Sequence, residues 1–305
     1  MRVALLQGGR SLERGVSLRS GGRVSEALLD LDHEAEAMDL GPELVSRLQA
    51  FDPDVAFIAL HGTEGEDGTV QALLELLGIP HTGPGVAACQ RCMDKSLAKY
   101  IFRENGIPTP DWVTYSEASI RDFGAASTFP RALAAVGLPL VAKPASQGSS
   151  LGVKVVTAEA ELPAALMTAL SYDDRALLET WVSGRELAVS VLGDEVLPTV
   201  EAIPTGSNAY DFEARYEIGG AEFVCPADLP EADSDEVRRV ALRAYEALGC
   251  SGFSRVDLIL GEDGPQVLEV NAIPGLTETS LLPQAAEAAG VGFDEMVEKI
   301  LQLAL

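Results

Sequence analysis

The chain has 305 residues, 47% of them hydrophobic, with 47 acidic against 22 basic side chains and a formal net charge of −25. That length and apolar content exclude general disorder and imply two or three packed domains. The charge excludes a broad nucleic-acid surface, which needs cations to displace counterions, but not a nucleotide held by a few focused cations and a metal. No apolar stretch approaches the ~20 residues that cross a bilayer, and MRVALLQGG reads as a first strand, not a secretory leader. Cys89 and Cys92 form a lone C-x-x-C pair without the second ligand pair of a zinc site. They read as structural thiols of a reducing, cytoplasmic compartment.

Residues 3–6 are a short apolar run ending at Gly8-Gly9, followed by a helical pattern through Val24, Ala27, Leu28 and Leu31. Residues 35–40 read as a second strand, and Gly41-Pro42 opens a helix through Leu44, Val45 and Leu48. VAFIAL at 55–60, bounded by Asp52-Pro53 and Gly62, reads as a buried parallel strand, and TVQALLELL at 69–77 as a helix stopped by Gly78. This order predicts an α/β protein with a doubly wound N-terminal sheet, whose ligands gather at the carboxyl ends of the strands. Loops 8–17 and 61–68 emerge there, carrying Glu13, a carboxylate able to hold an ammonium group, and His61.

After Gly83-Pro84-Gly85 the pattern turns helical as far as Asn105-Gly106, and IPTPDW opens a new unit. Strands are expected at 140–143, 153–156 and 177–181, with a helix at 161–170. From Gly184 come the strand signals ELAVSVLG and EVLPTVEA, a long polar loop at 204–220, and a helix at 234–248. Two strands, 254–260 and 266–270, flank an acidic and glycine turn suited to a hairpin, and two helices end the chain.

The strongest chemical signal is in that hairpin. Glu269 and Asn271 are two apart on one strand and so share a face; pairing through the turn brings Asp257 and Arg255 onto it. Two carboxylates and an amide are an all-oxygen set suited to Mg²⁺ bound largely through phosphates. Lys143 precedes SQGSSLG, a loop able to offer backbone N–H groups and hydroxyls to phosphate oxygens. It matches neither G-x-x-x-x-G-K-[ST] nor G-x-G-x-x-G. Lysine is scarce, at Lys95, Lys99, Lys143, Lys154 and Lys299 only. Lys95, in MDKSLAKY, is a second candidate phosphate cation. Glu179 and Glu186, in LLETWVSGREL, are candidate acceptors for an adenine amino group and ribose hydroxyls. Taken singly, these residues are equally compatible with solvated strand ends and helix surface.

Together, SLERGVSLRSG, HGTEGEDGTVQALLELLGIPHTGPG, MDKSLAKY, LVAKPASQGSSLGV, LLETWVSGREL, YDFEARY, GFSRVDLIL and VLEVNAIPGLTETSLLP resemble the D-alanine–D-alanine ligases of the ATP-grasp superfamily. The resemblance runs essentially end to end. It implies a cytoplasmic homodimer that makes the D-Ala–D-Ala unit of peptidoglycan, with D-alanine and ATP as substrates and two Mg²⁺ ions, replaceable by Mn²⁺. It also implies a three-domain ATP-grasp architecture, divided here at residues 1–90, 91–182 and 183–305, with ATP gripped between the last two.

Position by position, the resemblance assigns Lys95, Lys143, Glu179, Trp181, Val182, Glu186 and Arg215 to the nucleotide, and Asp257, Glu269 and Asn271 to the metal. Glu13, with His61 and Val16 beside it, would hold the first D-alanine. Arg255 and the N–H of Gly275 would form the oxyanion site, and Ser280 and Leu281 would seat the second D-alanine. Tyr216, on the 204–220 loop, would close over the site with Ser149. Similar enzymes that prefer D-lactate carry His at that lid position, so Tyr216 implies a dipeptide product. Thr180 and Arg215 stand where relatives usually carry Lys, and Ala272-Ile273 is less polar than the common pattern. The alternatives are a D-Ala–D-lactate or D-Ala–D-Ser ligase, a nucleotide-sensing ATP-grasp module, or a biotin-carboxylase-like enzyme. An intact metal triad and Lys143 speak against the sensor, and the first-domain motifs against the last.

Overall fold

The computed structural model describes residues 1–204 and 221–305. Its first sheet is β1 (Arg2–Gln7), β2 (Glu34–Asp39) and β3 (Val55–Ile58), crossed by α1 (Arg14–Asp30) and α2 (Leu44–Phe51) and followed by α3 (Thr69–Leu77). The strands are parallel in the order β2-β1-β3. All four residues of β3 and the middle four of β1 are buried, as strands covered on both faces require. The chain leaves β1 for β2 on one side and reaches β3 on the other. The adjoining carboxyl ends of β1 and β3 are therefore the crevice where a doubly wound sheet binds ligands.

The second sheet comprises β4 (Trp112–Ser116), β5 (Leu140–Pro144), β6 (Lys154–Val156) and β7 (Arg175–Thr180), in the antiparallel order β4-β7-β5-β6. On one face Leu140, Ala142, Ala176 and Leu178 pack with Leu162, Ala165, Leu166 and Ala169 of α8 (Leu162–Leu170), an i, i+3, i+4, i+7 stripe. The other face follows from alternation: Trp112, Glu179 and Val141 lie across from one another, and so do Leu177 and Lys143. Residues 112–136, to which the sequence assigned no element, form β4, α6 (Glu117–Phe123) and α7 (Ala125–Val136). Pro130 inside α7 breaks the helical signal there.

The third sheet has β8 (Arg185–Leu192), β9 (Glu195–Val196), β10 (Val200–Pro204), β11 (Ala221–Val224), β12 (Phe253–Gly261) and β13 (Gly264–Asn271). Its order is β11-β10-β8-β12-β13, with β9 on β8. α9 (Glu231–Leu248) covers the face carrying Val256, Leu258 and Val267, while α4 (Val86–Met93) and α5 (Lys95–Glu104) pack against β13. The hairpin connection is only Glu262-Asp263, and Gly264 takes the left-handed φ of +96° that follows so tight a turn.

Along the hairpin, Arg255 faces Asn271 and Asp257 faces Glu269, but Leu258 faces Val267. Leu268 is thus an extra residue, a β-bulge that resets the alternation. Its effect is specific: Leu268 and Glu269 both line the same cleft.

α10 (Leu281–Ala288) and α11 (Phe293–Gln302) complete the described elements. One continuous apolar core joins the first and third sheets, and the second has a core of its own. Among the described residues no helix is long and apolar enough to cross a membrane. Cys89 and Cys92 are buried, Cys89 donating to the Pro84 carbonyl and Cys92 lying 3.5 Å, sulfur to sulfur, from Cys250.

Candidate active site

A cleft opens between the second and third sheets. Val141, Lys143 and Glu179 line one wall, and Asp257, Ile259, Leu268 and Glu269 the other; Trp181 and Val182 line it where the two sheets connect. The Trp181 backbone N–H donates to the Pro139 carbonyl at 3.1 Å. Glu186 pairs with Ile259 across β8 and β12 and so shares its face. Thr180 also lines the cleft, and its hydroxyl donates to the Val136 carbonyl at 2.9 Å.

The cleft is built from ion pairs. Glu179 is 2% exposed, with Lys143 Nζ 2.5 Å from Oε1 and Lys99 Nζ 2.9 Å from Oε2. Burial alone would raise its pKa; the two ammonium groups outweigh burial and hold it below the usual carboxylate range. Lys95 Nζ lies 2.8 Å from Glu269 Oε2 and donates to the Gln147 carbonyl at 2.7 Å. Arg255 clamps Asp257 bidentately, both contacts at 2.7 Å. Asn271 Oδ1 is buried with no hydrogen-bond partner, on the face it shares with Arg255. A buried orphan acceptor beside two carboxylates is what an oxygen-ligated cation would satisfy.

Beside the cleft, the loops of the first sheet meet the SQGSSLG loop. Glu13 is 6% exposed and accepts a hydrogen bond from the Ser149 hydroxyl. A Cβ at Gly62 or Gly148 would come within 2.6 or 3.1 Å of Glu13 Oε2, so the two glycines let backbone from two loops close around one carboxylate. Ser149 and Ser150 both take left-handed φ, 53° and 55°, a conformation non-glycine residues adopt at a cost of order 1–2 kcal/mol each. Burial, and then the nearby Glu66 charge, push the Glu13 carboxyl up to about 7 despite the Ser149 bond.

His61 is held at both nitrogens. Nδ1 faces the Ile273 carbonyl at 3.1 Å and Glu66 at 3.3 Å, so it must carry the proton, and Nε2 lies 3.0 Å from the Ser20 hydroxyl. Ser20 also accepts from the Leu276 N–H, which ties α1 to the turn after β13. In that turn Ala272 and Ile273 are buried core residues, which accounts for their apolar character. A Cβ at Gly275 would meet Ser280 Oγ at 2.8 Å and Val16 at 3.9 Å, so Val16, Gly275 and Ser280 converge. Ser280 accepts from the Thr277 N–H at 3.0 Å and precedes the half-buried Leu281, first residue of α10.

The expected residues thus gather in two adjoining places: the cleft, and the Glu13–Ser149 junction with the 273–281 turn. Tyr216 and Arg215 lie outside the described residues. The sequence reading passed over Lys99, Glu66, Ser20 and Leu268. Lys99 carried a signal, since it follows Lys95 by four residues in a lysine-poor chain; Glu66 sat unassigned inside HGTEGEDG.

Comparison with known proteins places the chain among relatives of one kind. Residues 101–302 match the family described as D-ala D-ala ligase C-terminus, and residues 41–84 match D-ala D-ala ligase N-terminus. The D-alanine–D-alanine ligase of Moorella thermoacetica is 43% identical over 309 residues, covering 100% of this chain and 99% of that protein. That of Syntrophotalea carbinolica is 44% identical over 300 residues, covering 98% and 95%. A crystal structure of D-alanine–D-alanine ligase from Bacillus anthracis complexed with ATP superposes with a TM-score of 0.84 at 33% identity, covering 100% of this chain and 97% of that one.

Proposed function

We infer the chemistry of the cleft from one premise: the chain belongs to the D-alanine–D-alanine ligase family. It is an ATP-dependent ligase that joins two D-alanine molecules for peptidoglycan synthesis. The roles of individual residues are our assignment. Lys95 and Lys143 take the ATP phosphates, with Arg215 toward the γ-phosphate, and Trp181, Val182, Glu179 and Glu186 take the adenosine. Asp257, Glu269 and Asn271 would hold two Mg²⁺ ions, or Mn²⁺ in their place. The orphaned Asn271 acceptor and the all-oxygen donor set fit such ions. Bound there, the metal would supply charge neutralisation for the transferring phosphoryl group.

Glu13 holds the ammonium of the first D-alanine, with Val16 and His61 beside it, so that its carboxylate faces the γ-phosphate. Carboxylate oxygen attacks phosphorus, ADP leaves, and an acyl phosphate forms. The second D-alanine, seated by Ser280 and Leu281, attacks the carbonyl through its amine. Arg255 and the Gly275 N–H hold the tetrahedral oxyanion until phosphate departs. Ser149 and Tyr216 close the site against water, which would otherwise hydrolyse the acyl phosphate. The division at 1–90, 91–182 and 183–305, a homodimer and a cytoplasmic location belong to the same proposal.

The observation that carries this reading is the Glu13–Ser149 bond, where loops of the first and second sheets meet beside a cleft walled by Lys143 and Asp257. The test is phosphate release from ATP with D-alanine, L-alanine, or D-alanine with excess D-lactate. Release with D-alanine but not L-alanine, giving dipeptide and no ester, is expected. Release independent of any amino acid, or ester as the main product, would overturn it.

A further inference from the structure

Glu179 has two cationic partners, and they are not equivalent. Lys143 lines the cleft. Lys99 is 0% exposed and so cannot touch a nucleotide itself. Its ammonium donates to Thr109 Oγ1 at 2.7 Å and to the Pro110 carbonyl at 3.0 Å, and forms an ion pair with Glu179 Oε2 at 2.9 Å. Thr109 in turn donates to the Val267 carbonyl at 2.8 Å, and the Val267 N–H donates to the Pro108 carbonyl at 2.8 Å. Val267 immediately precedes the bulge that turns Leu268 and Glu269 into the cleft. One ammonium therefore ties the carboxylate on one wall to the strand that forms the other.

The charges make the same point. Two lysines against one carboxylate leave one positive charge in excess in a buried cluster. A phosphate that draws Lys143 away would strip Glu179 of its only counterion if Lys99 were absent, and a bare buried carboxylate is costly.

Resting on the assignment of the cleft to ATP, we propose that Lys99 is a positioning residue for the nucleotide. It keeps Glu179 charged and in place when Lys143 turns to the phosphates, and through Thr109 it sets the register of Leu268 and Glu269 across the cleft. The groups facing Lys99 are Glu179 on β7, Lys143 on β5, Asp111 before β4, and the Trp112 ring at 5.4 Å. Burial pulls the Lys99 ammonium down to about 8; Glu179 opposes the shift and Lys143 adds to it. Loss of its proton above that pH should weaken ATP binding.

The experiment measures KM for ATP and for D-alanine, and the preference for ATP over inosine triphosphate, in Lys99→Met, Glu179→Gln and the double variant. Lys99→Met should raise KM for ATP about tenfold or more, the worth of a charge-assisted hydrogen bond, and narrow the purine preference while KM for D-alanine holds. Added to Glu179→Gln, it should cost little more, because both act through one contact. Lys99→Arg, charged throughout, should recover part of the loss and flatten the rise in KM for ATP above about pH 8. If Lys99→Met does not fold, Thr109→Val carries the test and should raise KM for ATP alone. Additive single effects, or equal shifts in both KM values, would overturn the proposal. Lys143→Met with unchanged KM for ATP would instead bring down the assignment of the cleft to ATP.

Discussion

Glu13→Gln tests whether the carboxylate that receives the substrate's ammonium is kept in place at the expense of the fold. Glu13 is 6% exposed, and its carboxyl is pushed from an ordinary 4.5 to about 7, first by burial and then by Glu66. The folded chain therefore holds this proton up to about pH 7, whereas the unfolded chain releases it near 4.5. Below both values there is no penalty; between them stability falls as pH rises; above both the penalty is complete. At 1.36 kcal/mol per tenfold difference, the full penalty is about 3 kcal/mol, of which roughly 1 is present by about pH 5.5. Gln keeps the shape and can still accept from Ser149, but carries no charge. Urea or thermal melts without substrate should show Glu13→Gln gaining about 2 kcal/mol relative to the parent between about pH 5.5 and pH 8. Initial rates should show the opposite cost, a large rise in KM for the first D-alanine with KM for ATP little changed. A variant no more stable at pH 8 than at pH 5.5, relative to the parent, would refute the reasoning.

Two further outcomes follow from the same geometry. Glu269→Gln should nearly abolish turnover and raise the Mg²⁺ requirement, read by titrating Mg²⁺ at fixed ATP; near-normal activity at low Mg²⁺ would remove Glu269 from the metal site. Gly275→Ala places a methyl 2.8 Å from Ser280 Oγ, which must shift, so it should lower kcat and raise KM for the second D-alanine with KM for ATP nearly unchanged.

How much of this was legible in the sequence depended on how far apart the partners lie. The first sheet was legible because β1 and β3 are unbroken apolar runs. The face of Asp257, Glu269 and Asn271 was legible because alternation and a short turn are local rules, and the observed register puts Asp257 opposite Glu269. The bulge was not, since Val267 and Leu268 are both apolar and nothing local says which one is extra. Glu13 and Ser149 are 136 residues apart, and no spacing rule joins them; only the family resemblance put them in one site. Lys99 was counted among the scarce lysines but given no role, because spacing alone does not say which face of its helix is buried. Its burial is decided by β4 and β7, and β4 itself went unseen.

The lysines show why such a cleft suits so acidic a chain. Of the five, Lys95, Lys99 and Lys143 are buried around the site, at 7%, 0% and 6% exposure. Bare cations there would each bear a desolvation penalty of several kcal/mol. None is bare: Lys95 has Glu269, and Lys99 and Lys143 share Glu179; the nearby Arg255 likewise has Asp257. Binding ATP at this cleft then exchanges one anionic partner for another instead of drawing isolated charges out of water. The carboxylates released from Lys95 and Arg255 are the two assigned to the metal, so the phosphates and their cations would arrive as a neutralising pair. That coupling distinguishes Glu179 from Glu269 and Asp257: it is assigned no ion, and so needs a lysine that stays.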